Sequence, residues 1–303
     1  MTEFTPVTEG AIRRILVGSD FSASARRAVC RAGQLATQHE AQLHLIHVQP
    51  DWNLFSRNGA PDYYRALTDD SAAALATEVA FIEKTFGIHA RGQVRIGTAS
   101  EVLGSAVTEI QPNLIVVSAC GEHDSANNPA LLGGTTLKLM AFARVPLLIV
   151  RNRDALRPYQ TAVVAVERSL AEARRLIQLG YLLVPEGDCH LVHVYTMPYL
   201  ERLRLGNVSQ QTLDSWRQAM AGEAEAFVDN LLKQSVVPQH RTHPHVICGE
   251  PVTGVLAEVD RLKPDVIVVG KHQHAGRDHL MRSIGSVALR IAYHATGDLL
   301  VAP

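Results

Sequence analysis

The sequence is poor in cysteine, in aromatic residues and in long apolar runs. Aromatic residues make up 5% of the chain, and apolar stretches such as LIVV and VIVV fall far short of the roughly 20 residues that span a bilayer. The four cysteines form no C-x-x-C pair, which is typical of a reduced compartment rather than a disulfide scaffold. They are Cys30, Cys120, Cys189 and Cys248.

Charge is also scarce, and it is balanced. Charged residues make up 19% of the chain, apolar residues 47%, and the formal net charge is −1. No overall field would attract nucleic acid or an anionic membrane, so we expect neither as a partner. The opening MTEFTPVTEG has no basic start followed by an apolar core, so we expect a cytoplasmic protein.

The sequence contains two tandem copies of one unit. HLIHV at 44–48 is matched by HLVHV at 190–194, and LIVVS at 114–118 by VIVVG at 266–270. Matched blocks in the same order indicate duplication of a domain of about 150 residues rather than a short-period solenoid. We place the domains at 1–152 and 153–303, with a polar join around Pro158.

Each copy alternates short β-branched runs with longer helical patterns, which predicts βαβ units. The expected fold class is α/β, with two tandem doubly wound domains, each a five-stranded parallel sheet covered by helices on both faces. We expect the last strands of the copies, 145–150 and 298–302, to pair as an internal pseudo-dimer. The expected strands are 12–17, 42–48, 89–96, 113–118, 146–150, 161–166, 189–195, 240–247, 265–269 and 298–301, and two long helices are expected at 62–86 and 209–233.

A ligand crevice is expected beyond the carboxyl ends of the first and fourth strands of each copy. Asp20 follows the first strand of copy one, and Glu167 stands at the same place in copy two. Each fourth strand leads into a glycine-containing loop that ends at a helix start. Glycines there let backbone amides approach a phosphate, although they also suit a tight turn into the helix.

The ordered blocks resemble the universal stress protein family over nearly the whole chain, twice. The resemblance rests on the D-x-S opening, the His-Val after the second strand, the G-x-[AP] before the third helix and the final glycine loop. It implies an adenine nucleotide, such as ATP, or another anionic metabolite as ligand. In copy one it implies contacts from Asp20, Val48, Ser118, Gly121, Gly133, Gly134 and Thr135. In copy two it implies contacts from Glu167, Val194, Gly270, Gly285 and Ser286.

Both copies depart from the family's G-x2-G-x9-G-[ST] loop. Copy one has Ser118 for the first glycine and eleven residues between Gly121 and Gly133. Copy two has Gln273 for the second glycine and the longer acid Glu167. We therefore predict the nucleotide in copy one. The alternative for Asp20 is a turn former or helix cap.

Several histidines and basic residues invite further roles. For His47 and His193 we favour satisfied strand ends over general bases, and for Cys120 with His123 a structural role over a Cys–His nucleophile. His243 and His245 are two apart in a predicted strand and therefore point to one face, and His240 and His272 could lie nearby. The group suggests either a transition-metal site or a solvated edge strand. The loop after the fourth strand of copy two contains Lys271, Arg277 and Arg282, which either bind an anion or lie in solvent.

These patterns contain no assembled catalytic set, and we assign no catalytic or metal residue. The expected function is a stress-response regulatory protein with an unidentified protein partner, an internal pseudo-dimer and a further homodimer as an option. The alternatives are an interaction scaffold whose ligand sites have decayed, or a slow ATP-hydrolysing enzyme.

Overall fold

The computed structural model describes residues 11–51, 61–121, 132–151, 154–197, 208–271 and 285–303, with the backbone alone at 61–68. Strands and helices alternate throughout, as expected. The first copy contains β1 Arg14–Ser19, α1 Ala23–His39, β2 Gln42–Gln49, α2 Pro61–Phe86, β3 Ala90–Ile96, α3 Ala99–Ile110, β4 Leu114–Ser118, α4 Gly134–Phe142 and β5 Leu147–Val150. The second contains β6 Thr161–Ala165, α5 Leu170–Leu183, β7 Asp188–Tyr195, α6 Gln210–Gln234, a 3-10 turn Gln239–Arg241, β8 Thr242–Cys248, α7 Pro251–Leu262, β9 Val266–Gly270, α8 Ser286–His294 and β10 Asp298–Ala302.

The chain divides into two compact units. The first is 1–158 with 271–285 and 296–303, and the second is 159–270 with 286–295. In the first, parallel strands run in the order β3-β2-β1-β4-β5, and β10 pairs antiparallel with β5. The predicted pairing of 145–150 with 298–302 is confirmed, since Leu300 lies opposite Leu148.

Both faces of the first sheet are covered by helices. A Cβ on Gly18 would lie 3.1 Å from Leu103 of α3, whereas the next residue, Ser19, bonds to Glu78 of α2. Neighbouring strand residues point to opposite faces, so these contacts sample both sides of β1. The apolar run that opens β4 is buried throughout, as a doubly covered strand should be. The α/β fold class is confirmed.

The second unit repeats this arrangement with four parallel strands in the order β9-β6-β7-β8. His193 of β7 packs against Phe227 of α6, with ring centroids 4.9 Å apart. Val194, the next residue, faces Gly254 of α7. The strand predicted at 240–247 begins two residues later, because the chain after Pro238 first forms the 3-10 turn.

A buried charged pair anchors β10 within the first unit. Arg31 of α1 is 1% exposed and Asp298 is fully buried, with Nε and Oδ2 3.6 Å apart. Arg31 also donates to the backbone oxygens of Asp154 (2.9 Å) and Arg157 (2.6 Å), and Asp298 Oδ1 accepts from the Arg151 amide at 2.6 Å. These bonds hold the segment after β5 and the start of β10 against α1.

Candidate functional site

Asp20 lies at the carboxyl end of β1 and is exposed. Its Oδ1 accepts from the Ser22 amide at 3.1 Å, and Ser22 caps α1 by accepting from the Ala25 amide at 3.0 Å. A Cβ added to Gly121 would lie 3.0 Å from Asp20 Oδ2. Asp20 is therefore a turn former at one oxygen, while the other faces the loop after β4, which needs a glycine there.

The turn that follows Asp20 is strained. Phe21 has φ 62°, in the left-handed region that bulky side chains rarely adopt. Its amide donates to Ser19 Oγ at 3.2 Å, and its ring stacks on His47 with centroids 4.2 Å apart. His47 Nδ1 lies 2.9 Å from the Ser19 carbonyl, which can only accept, so Nδ1 carries the proton. His47 thus closes this turn, as expected of a satisfied strand-end histidine.

The buried carboxylate of Glu78 on α2 contacts this turn through Ser19. Ser19 Oγ donates to Glu78 Oε2 of α2 at 2.7 Å, and the two residues are only 5% and 2% exposed. Glu78 Oε1 has no hydrogen-bond partner among the described residues. Sequence reasoning missed this pair, although a signal was present. Glu78 falls on the same helical stripe as the buried Leu75 and Ile82.

The loop after β4 is closed at both ends. Ser118 Oγ and Ser24 Oγ both donate to the Cys120 carbonyl, at 3.0 and 2.9 Å. Across the loop, the Gly133 amide donates to the Ala119 carbonyl at 2.8 Å, and Thr136 Oγ1 donates to the Ser118 carbonyl at 2.9 Å. Residues 122–131, including His123, lie outside the described residues. Cys120 is buried.

No side chain among the described residues caps the start of α4. Gly133 is its N-cap residue, and Gly134 is exposed and Thr135 half-buried in the first turn. A helix start leaves amide donors that suit an anion. The structure thus brings Asp20 to Gly121, and joins Ser118 to the helix start that holds Gly133, Gly134 and Thr135. Val48 of β2 is half-buried and points away from the face that His47 occupies.

The model of the universal stress protein family matches residues 11–151 and, a second time, residues 158–303. The chain belongs to the universal stress protein family. Solved structures share its fold over nearly its full length. A universal stress protein from Archaeoglobus fulgidus DSM 4304 is 17% identical with a TM-score of 0.65, and the match covers 95% of each chain.

A second similar structure is a functionally unknown protein from Pseudomonas aeruginosa PAO1. It is 19% identical with a TM-score of 0.62, and the match covers 96% of this chain and 92% of the other. Likenesses at these identities show the fold. No curated protein matches the chain.

The second copy of this universal stress protein builds the corresponding turn differently. Exposed Glu167 follows β6, and Arg168 stands at the place of Phe21, pairing with Glu223 of α6 at 3.4 Å. Val166, 3% exposed, replaces Ser19. The carbonyl of Val166 accepts from His193 Nδ1 at 3.0 Å, as that of Ser19 does from His47. His193 Nε2 is buried without a hydrogen-bond partner among the described residues.

The third helix of the second copy has its own carboxylate cap. Glu250 Oε2 accepts from the Thr253 amide and hydroxyl at 2.8 and 2.7 Å, and Oε1 lies 3.2 Å from Arg290 of α8. Bonds from Thr253 hold the pKa of Glu250 below its usual range. In the first copy the same place is Thr98, whose side chain makes no cap bond. The second copy therefore fills this helix start with an internal anion.

The remaining predicted site residues belong to the second copy. Val194 is half-buried, Gly270 ends β9, Gly285 has φ 80°, and Ser286 begins α8.

Lys271 was expected in solvent or on an anion, and that is wrong. Its side chain is half-buried and donates to the Ala141 carbonyl at the end of α4, and burial lowers its pKa.

Two further features of the described residues concern membranes and metals. No described helix is both long and apolar enough to cross a membrane. Within the same ranges, no three histidine, cysteine or carboxylate side chains converge on one metal position. All four cysteines are free thiols, with Cys248 alone exposed. Arg277, Arg282, His272 and Gln273 lie outside the described residues.

Proposed function

We propose that this chain is a cytoplasmic stress-response regulatory protein that binds an adenine nucleotide, such as ATP, in its first copy without turning it over. Nucleotide occupancy would alter contacts with a protein partner or a second copy of the chain. The observation that carries the proposal is the start of α4 beside the Ser118–Gly121 turn, where the N-cap residue is Gly133 and no described side chain caps the helix. That start offers backbone amide donors to an anion.

Each residue then has a distinct part. The amides of Gly134 and Thr135, with the Thr135 hydroxyl, would meet the phosphates. Asp20 Oδ2 would accept from a nucleoside hydroxyl, since a carboxylate binds a donor and repels phosphate. The backbone of Val48 would border the base. Gly121 keeps the approach to Asp20 open.

The second copy is the weaker candidate. Glu167 is one methylene longer than Asp20, which extends its carboxylate further into the crevice expected for the ligand.

The bonds that the acid and the histidine make support the non-catalytic part of the proposal. Asp20 Oδ1 is held by the Ser22 amide, and His47 gives its Nδ1 proton to the Ser19 carbonyl and stacks on Phe21. Neither bonds to the other as a base and its orienting acid would.

Calorimetric titration of the full chain with ATP tests the proposal, comparing Asp20→Ala with the matched Glu167→Ala. A hydrogen bond to a charged group contributes about 1.5–3 kcal/mol, so Asp20→Ala should weaken binding about tenfold or more while Glu167→Ala leaves it nearly unchanged. Weakening by Glu167→Ala alone would move the site to the second copy. Absence of binding would favour the scaffold. Turnover above about 1 per second that Asp20→Ala abolishes would make the protein an enzyme.

A further inference from the structure

Three histidines of the second unit form one cluster across β7 and β8. His190 stacks on His243 with ring centroids 4.9 Å apart and lies 5.2 Å from the ring of His245. His190 Nδ1 and His245 Nε2 are 3.0 Å apart. The strand pattern predicted that His243 and His245 share a face, and the structure adds His190 to them.

Carboxylates lie close to a ring nitrogen of two of these histidines. His243 Nε2 lies 3.0 Å from Asp188 Oδ1, and His245 Nδ1 lies 3.5 Å from Glu258 Oε2 of α7. Arg261 approaches His245 Nδ1 at 3.3 Å, but it is also bonded to Glu258 at 2.5 Å, which offsets its charge. The cluster is therefore flanked by negative charge that balances the nearby guanidinium.

The first copy has no such cluster at the same strand positions. His44 is aligned with Arg91 where His190 is aligned with His243, and Gln93 is aligned with Ile46 where His245 is aligned with Val192. The sequence of the second copy therefore carries two imidazoles where the first has a guanidinium and an amide. Ordinary packing of an edge strand does not call for three adjoining imidazoles.

We propose that His190 Nδ1 and His245 Nε2 bind one divalent transition-metal ion of the Cu²⁺, Ni²⁺ or Zn²⁺ class, with water at the remaining positions. Imidazole suits these ions. With metal–nitrogen bonds of about 2.0–2.1 Å, two ligands at a right angle lie about 2.9 Å apart and at a tetrahedral angle about 3.4 Å apart. The observed 3.0 Å falls in this interval.

The proton balance is met within the histidines. The two nitrogens now share one proton, and metal binding moves it to the far nitrogen of the ring that carries it, so neither neutral ring loses its proton. For His245 the far nitrogen is Nδ1, where a proton would be donated to Glu258 in place of the bond from Arg261, which stays paired with Glu258.

Titration of the untagged, chelator-treated full chain with Ni²⁺, Cu²⁺ or Zn²⁺ chloride tests this proposal. One ion should bind, and loss of a ligand in His190→Asn or His245→Gln should weaken binding about tenfold or more. His44→Asn is the matched control in the first copy, and its affinity should be unchanged. Equal affinity in the double variant His190→Asn/His245→Gln would overturn the site.

A spectrum of the wild-type protein gives a readout that does not depend on folding of the variants. Electron paramagnetic resonance of the one-to-one Cu²⁺ complex should show coupling to two imidazole nitrogens. Coupling to none, or a spectrum unchanged in a folded double variant, would show adventitious binding elsewhere and refute the proposal.

Discussion

Replacing Ser19 by alanine should destabilise the first unit out of proportion to the loss of one hydroxyl. The hydroxyl donates to Glu78 Oε2 at 2.7 Å, and the other carboxylate oxygen has no partner among the described residues. With Ser19 gone, a carboxylate that is only 2% exposed keeps no hydrogen-bond donor among the described residues. An orphaned buried polar group costs about 1–3 kcal/mol, and more when charged, so we expect about 3 kcal/mol.

The double change Ser19→Ala/Glu78→Ala should cost no more than Ser19→Ala alone, although it removes more atoms. Glu78→Ala leaves a small cavity but removes the buried carboxylate, and a serine hydroxyl can rotate to another acceptor. We expect about 1–2 kcal/mol for Glu78→Ala and a coupling of at least about 1 kcal/mol between the two changes. The second copy gives a natural precedent, since Val166 replaces Ser19 there and the buried residues of α6 are all apolar.

Urea unfolding of the four proteins, followed by far-ultraviolet circular dichroism, measures the coupling. Thr77→Ala is the matched control on α2, because Thr77 is exposed and its hydroxyl donates to the Ala73 carbonyl one turn earlier. It should change the free energy of unfolding by less than about 0.5 kcal/mol. Additive effects of the Ser19 and Glu78 changes would refute the argument that the serine is the donor that makes this buried carboxylate tolerable.

Two further predictions concern buried charge. Asp298→Ala should lower the free energy of unfolding by about 3–5 kcal/mol, because it removes the buried carboxylate that balances the charge of the buried Arg31. Asp298→Asn should cost less, and equal costs in urea unfolding would show that geometry outweighs charge. His193 is 2% exposed and burial lowers its pKa from 6.5, so its contribution to stability is complete above about pH 6.5 and is lost as the pH falls toward the lowered value. Urea midpoints at neutral and mildly acidic pH should therefore fall less in His193→Gln than in the wild type, and equal falls would contradict this account.

The sequence was most informative where structure depends on local pattern. The buried strands and the duplication could be predicted, because apolar runs such as those of β4 and β9 repeat in the same order with helical patterns between them. The position of Asp20 at the end of β1 followed from the same reasoning. Its bond to the Ser22 amide matches the turn-forming alternative, which the D-x-S spacing already suggested.

Contacts between distant residues could not be predicted in this way. The pairing of Ser19 with Glu78 joins residues 59 apart, and only the place of Glu78 on an apolar stripe hinted at it. The bond from Lys271 to the Ala141 carbonyl depends on where β10 and the end of α4 come together. Composition cannot distinguish such a lysine from one in solvent.

The two copies differ in where they place buried polar groups. The first copy buries Glu78 under the strained turn at Phe21, and its Thr98 makes no side-chain cap bond at the start of α3. The second replaces the buried serine with Val166 and caps α7 with Glu250. Strain and buried charge cost stability and persist where function requires them, whereas a capped helix and an apolar replacement favour stability. This contrast is an independent reason to look for the ligand in the first copy, since it rests on stability rather than on the loop motif.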